Sequence, residues 1–109
     1  MTIFVGEAIT VVCAAVNPLN GGTVISDAVG QVEFYVPGKA PKPVPADRVA
    51  DFGPVAAQFD ATVINKDGSL GAYVAYVDTT GWVPGKWSYK VTLTGSYDTW
   101  EYGQFALAE

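Results

Sequence analysis

The side chains able to do chemistry are few in this 109-residue chain, and one type is missing altogether. There is no histidine. That removes the most frequent general base and the most frequent transition-metal ligand together. Neither a Ser–His nor a Cys–His nucleophile can be built, and zinc sites of the usual kinds are excluded. Carboxylate pairs are what remains for acid–base work, since a glycosidase needs two. Asp98 and Glu101 share one turn region, and Asp60 and Asp67 flank another. Each reads more simply as a solvated turn residue. Asn65, Asp67 and Ser69 alternate within a single turn, where oxygens can gather calcium. No glutamate follows at EF-hand spacing, and turn chemistry accounts for the three. Gly-x-Gly-x-x-Gly does not occur, and Lys66-Asp67-Gly68-Ser69 lacks the loop and helix of a nucleotide site. Cys13 is alone, so no intrachain disulfide can form. Within the apolar run Ile9–Val16 it reads as a small buried hydrophobe rather than a reactive thiol. The chemistry excludes an enzyme and calls for no cofactor or metal.

The elements that position these residues are strands. Gly81-Trp82-Val83-Pro84-Gly85 leads into a segment in which Trp87, Tyr89, Val91 and Leu93 alternate with Ser88, Lys90, Thr92 and Thr94. Side chains of a strand alternate with period two, so this predicts a half-buried antiparallel strand with an aromatic inner face. Similar signals occur at Thr2–Val5 (short, at an edge), Ile9–Val16, Thr23–Ile25, Gln31–Val36, Phe59–Val63, Gly71–Val77 and Trp100–Ala108. Val32, Phe34 and Val36 are expected inward, as are Phe59, Ala61, Val63, Phe105 and Leu107. The 71–77 segment, apolar on both faces, is expected to be central or covered. Asn17–Gly22 is a loop, and Asp67-Gly68 is a hairpin signal. Residues 37–54 carry five prolines and are expected to form a long irregular loop, with one helical turn over Asp47–Phe52. The pattern predicts one domain over 1–109, an all-β, immunoglobulin-like antiparallel sandwich of about seven strands.

Composition narrows the partners. Half the residues are hydrophobic and only 16% are charged, against a usual quarter. Eleven acids against six scattered bases give a net charge of −5, which disfavours nucleic acid. No apolar stretch is long enough to span a bilayer, and the N-terminus lacks the basic and apolar regions of a signal peptide. Synthesis in a cytoplasm without general secretion is therefore expected. The aromatics are the remaining candidates for function. Alternation sends Trp100 and Tyr102 outward on the last strand, with Tyr97 in the turn before it and Trp82 in another turn. These four form the expected contact surface, since Trp and Tyr bury large areas while keeping a polar tip.

The run Asn65–Tyr73, followed by Gly81-Trp82-Val83-Pro84-Gly85-Lys86-Trp87-Ser88-Tyr89-Lys90-Val91, resembles small Ig-like structural proteins of tailed bacteriophages. There a polar turn leads to a Gly-x-Tyr strand, and Pro-Gly-x-Trp-x-Tyr opens the next. Gln31–Gly38 also fits their strand ending in Pro-Gly, whereas the proline-bearing insert departs from the pattern. The resemblance spans roughly residue 29 to the C-terminus. It implies a non-enzymatic virion protein, made in the host cytoplasm, that decorates the capsid by docking on the major capsid protein. Attachment to tail proteins is the close alternative, and self-association is a further possibility. Thr2, Ile3, Phe4 and Val5 would then serve as a docking arm adding a strand to the partner. The competing class is a glycan-binding or adhesion module that stacks sugars of the host surface on the exposed aromatics.

Overall fold

In the computed structural model the alternating segments form nine strands among the described residues. They are β1 (Thr2–Phe4), β2 (Ala8–Cys13), β3 (Val16–Asn17), β4 (Thr23–Val24), β5 (Val29–Tyr35), β6 (Phe52–Ile64), β7 (Leu70–Asp78), β8 (Gly85–Thr94) and β9 (Thr99–Ala108). The structure describes residues 2–14, 16–17, 23–39, 44–45, 47–66, 68–95 and 98–109, and no helix occurs among them. Seven strands join in one mixed sheet in the order β1-β9-β8-β5-β6-β7-β2, while β3 and β4 pair separately. Neighbours in the large sheet run antiparallel except β1, which lies parallel to β9.

The long strand β6 shapes the whole. Its first part pairs with β5 from Phe52 to Ala57, and its second pairs with β7 from Gln58 to Ile64. By changing partner midway it turns the sheet over on itself, so the molecule is nearly a barrel. The expectation of an all-β fold with seven principal strands holds, although they lie in one continuous sheet. The inward faces meet in one core containing Ile9, Val11, Val32, Phe34, Tyr73, Ala75, Trp87, Val91, Leu93, Phe105 and Leu107. The predicted inner residues of β8 are there, Tyr89 at its partly buried margin. β7 is central as expected, between β6 and β2. The Asn65–Ser69 turn closes the β6–β7 hairpin, with Gly68 N–H donating to Asn65 O and Asn65 N–H to Ser69 O, both at 2.9 Å. Asp67 lies outside the described residues.

The proline-bearing connection differs from expectation at its end. Phe52 opens β6, and Pro54 sits inside that strand after a cis Gly53–Pro54 bond. The β5–β6 register shifts between Val32 and Phe34, so Gly53 and Pro54 fall in a bulge that needs no ladder donor from the proline. No helical turn forms over Asp47–Phe52. Arg48 N–H bonds to Pro45 O, and Asp51 N–H is taken by Phe34 O on β5, which draws the segment into the sheet. On β6, Phe59 packs against Tyr73 at 5.4 Å between ring centroids, whereas Ala61 is exposed.

Candidate binding surface

The registers of β5, β8 and β9 arrange their outward side chains in three rows. Tyr35, Ser88 and Gln104 form the first, Glu33, Lys90 and Tyr102 the second, and Gln31, Thr92 and Trp100 the third. Alternation dictates this face, because each member neighbours an inward core residue along its strand.

Described residues of the connection between β5 and β6, Arg48 among them, lie over the first row. Tyr35 has no exposed surface and Ser88 is 4% exposed, while Val44 from the connection is 2% exposed. Arg48 stands over the Tyr35 ring at 5.7 Å and binds Asp51 at 2.8 Å. Asp51 also accepts from Val36 N–H at 3.1 Å, which ties the connection to the end of β5. Gln104 donates to Ser88 Oγ at 3.2 Å. Among the described residues, three buried polar atoms here have no hydrogen-bond partner: Tyr35 Oη, Arg48 Nε and Gln104 Oε1. Burial pushes the Tyr35 phenol up, with Glu33 and Tyr102 adding to it.

The second and third rows are open. Lys90 Nζ lies 3.8 Å from Glu33 Oε1. Beside it, Lys90, Thr92, Trp100 and Tyr102 line a shallow hollow of about 140 Å³. Trp100 is 63% exposed, on an ordered strand rather than a loop tip. A flat indole flanked by an ammonium, a hydroxyl and a phenol can receive a ring or an apolar side chain and hydrogen-bond its rim. A second, wider hollow on the β6–β7 hairpin is lined by Ala56, Gln58, Asp60, Val74 and Tyr76 among others.

The four expected contact residues do not share one surface. Trp100 and Tyr102 are together on the outer face as alternation predicts. Trp82 instead stacks on Trp87 at 4.4 Å and contacts Phe52 at 4.8 Å and Phe34 at 5.2 Å. It caps the inner aromatic cluster, because the Trp87 indole N–H bonds Val83 O and folds the 79–84 turn over the core. Tyr97 lies outside the described residues. The expected docking arm is also differently placed. Thr2, Ile3 and Phe4 pair with Ala106, Leu107 and Ala108, and Val5 N–H donates to Ala108 O at 2.7 Å, so the segment is engaged by its own sheet. Lys90, Thr92 and the Tyr35–Arg48–Gln104 group escaped the sequence reading. The first two were visible as outward partners of β8, but their alignment with Trp100 depends on β8–β9 register.

Among the described residues no three His, Cys, Asp or Glu side chains gather as a metal site. Asn65 is engaged with Ser69 Oγ and Gly71 O. Cys13 is buried, and its thiol donates to Glu101 Oε2 at 3.2 Å. Burial, with the Glu101 carboxylate adding to it, pushes that thiol up to about 12, so it stays protonated at neutral pH. No protein-family model matches this chain, and neither a curated protein nor a solved structure matches it.

Proposed function

We propose that this chain is a non-enzymatic structural protein of a tailed-phage virion, an Ig-like module that decorates the capsid by docking on the major capsid protein. The observation that carries the docking role is the outer face of β5, β8 and β9. Trp100 and Tyr102 stand there on β9, paired to β8, beside a charged pair. An exposed tryptophan on a rigid strand is the arrangement that interface centres favour. Strand order supports the Ig-like reading. The run β9-β8-β5-β6 corresponds to the GFC sheet extended by C′, and β7-β2 corresponds to strands E and B. The Pro84-Gly85-x-Trp87-x-Tyr89 motif supports the phage reading, with Gly85 opening β8 and Trp87 in the core.

The test is co-sedimentation with purified capsids and with purified tails, using the wild-type protein and Trp100→Ala. Binding to capsids that the variant loses is the expected result. Binding to tails alone moves the protein to the tail, and binding to neither defeats the virion role. A glycan-binding module is the second reading, favoured by the small indole-walled hollow. It requires a change in tryptophan fluorescence on titration with cell-wall polysaccharide, lost in Trp100→Ala.

A further inference from the structure

The large sheet is a ring interrupted at one seam. β9 is bonded to β8 from Thr99 to Leu107, but on its other side β1 covers only Ala106–Ala108. From Thr99 to Phe105 that outer edge carries no strand among the described residues. β2 stands at the opposite end of the sheet and, among the described residues, pairs only with β7. The two open edges lie on either side of one seam. At one end the Val5–Glu7 turn carries the chain from β1 to β2, held by Gly6 N–H to Thr79 Oγ1 at 3.1 Å and Thr79 Oγ1 to Glu7 O at 2.6 Å. Toward the other end, Cys13 of β2 reaches Glu101 of β9 at 3.2 Å. β1 is thus a three-residue strand in a seam that no strand among the described residues fills from Thr99 to Gln104 of β9.

The β2 edge lacks the usual guards, and on β9 the stretch from Thr99 to Phe105 carries one charge, Glu101. Ala8–Cys13 contains no charge and no proline, the devices by which free edges normally repel added strands. Glu101 lies across β8 from the inward Val91, so its side chain turns to the inner side of the seam, yet it has no ion-pair partner among the described residues. Gly103, next along that side, presents no side chain and leaves room filled by the Tyr89 ring.

We propose that this seam receives an extended segment of a partner protein, running parallel to β9 in continuation of β1, with a basic side chain facing Glu101. Taking the partner to be another protein rests on the docking role proposed above. The register of β1 sets the fit: Thr2 stands opposite Ala106 and the chain continues with Met1, so the added segment ends opposite Gln104, with the basic residue three positions earlier, opposite Glu101. Main-chain bonds supply the affinity of such strand addition, and alternate side chains supply the specificity. A second copy of this chain is a poor donor. Lys86 and Lys90 lie in β8, which is paired on both sides, and Lys66 lies in the hairpin turn. Lys39, Lys42 and Arg48 belong to the proline-bearing connection, where missing amides defeat a ladder.

The test supplies the strand in the chain itself. Thr-Thr-Arg-Thr-Val-Thr-Val, after a new initiator, replaces Met1, which sets the arginine opposite Glu101; a control carries glutamate there. Amide exchange over Thr99–Phe105 should slow by about tenfold or more in the arginine form and by less in the control. No protection, or equal protection in both, overturns the proposal. The arginine form should also lose the co-sedimentation that wild-type protein shows; a filled seam that still binds capsids or tails overturns it. Wild-type protein that binds neither particle defeats the virion role alone, and the exchange result still decides the seam. Dimerisation of wild-type protein with protection at Thr99–Phe105 would assign the seam to a second copy and overturn the partner named here.

Discussion

Gly30 and Cys13 show how much individual residues hold in this sheet. A methyl group added at Gly30 would meet Ala57 O at 2.8 Å and Leu93 Cδ2 at 3.2 Å, so backbone and core both resist it. Gly30→Ala is expected to cost about 1–3 kcal/mol, read from the midpoint of urea unfolding. Cys13 gives a pH dependence whose sign follows from its burial. Its folded value is about 12 against an ordinary 9.0, so the unfolded chain loses the thiol proton first. The corresponding stability is complete below pH 9 and is lost as pH rises toward 12, with a ceiling of about 4 kcal/mol. The phenols of Tyr35 and Tyr89, also held up by burial, steepen the loss above 10. Cys13→Ala should flatten the decline between pH 9 and 12 in denaturation curves, and wild-type Cys13 should resist thiol reagents at pH 8.

Among the elements, the 79–84 turn and the 36–51 connection carry the tertiary surprises. Trp82 closes the aromatic end of the core from the turn, in contact with Phe34, Phe52 and Trp87. Trp82→Ala should therefore destabilise by about 3 kcal/mol, whereas Trp100→Ala on the open face should stay within about 0.5 kcal/mol. Thermal unfolding of the two variants makes the comparison, and equal losses would place both rings in the core. The connection is held by Arg48 through its ion pair with Asp51 and its position over Tyr35. The pair is partly solvated, so Arg48→Ala should cost only about 1 kcal/mol while speeding proteolysis between Pro37 and Asp51. β1 adds a caution for mutagenesis. Ile3 and Val5 pack against the core, so deleting the N-terminal segment removes a paired strand along with any docking surface. Phe4, 56% exposed, is the cleaner position to alter.

At the scale of the whole molecule, the proposed binding face and the core face are the two sides of one sheet. The core side of the sheet holds the fold together, and the outer side of β8–β9 presents Trp100, Tyr102, Lys90 and Thr92. Trp100→Ala combined with Lys90→Ala should abolish particle binding while leaving the circular dichroism spectrum and melting temperature near wild type. Loss of fold in that double variant would overturn the assignment of this face to binding. The seam proposed to take an added strand between β2 and β9 is separable from this face, because it would use backbone groups rather than the outward rows.

Alternation made the inner and outer faces of β5, β8 and β9 legible from residue order alone. Side chains of a strand change sides at every step, whatever the strand later pairs with. On that basis alone Val32, Phe34, Trp87, Val91, Leu93, Phe105 and Leu107 face the core, and Trp100 and Tyr102 face outward. The Asn65–Ser69 hairpin was equally local. Pairing between distant segments was not legible, since the parallel contact of β1 with β9 joins the two ends of the chain. Nor was the passage of β6 from β5 to β7, which turns an expected pair of sheets into one nearly closed sheet. Tyr35 and Trp82 belong to the same class. Each obeys its local pattern, but a connecting segment folds over one, and the other folds over the core. Period and turn chemistry are properties of a few neighbouring residues and can be read from the chain. Which edge meets which, and what a loop covers, is decided by burial summed over the whole molecule.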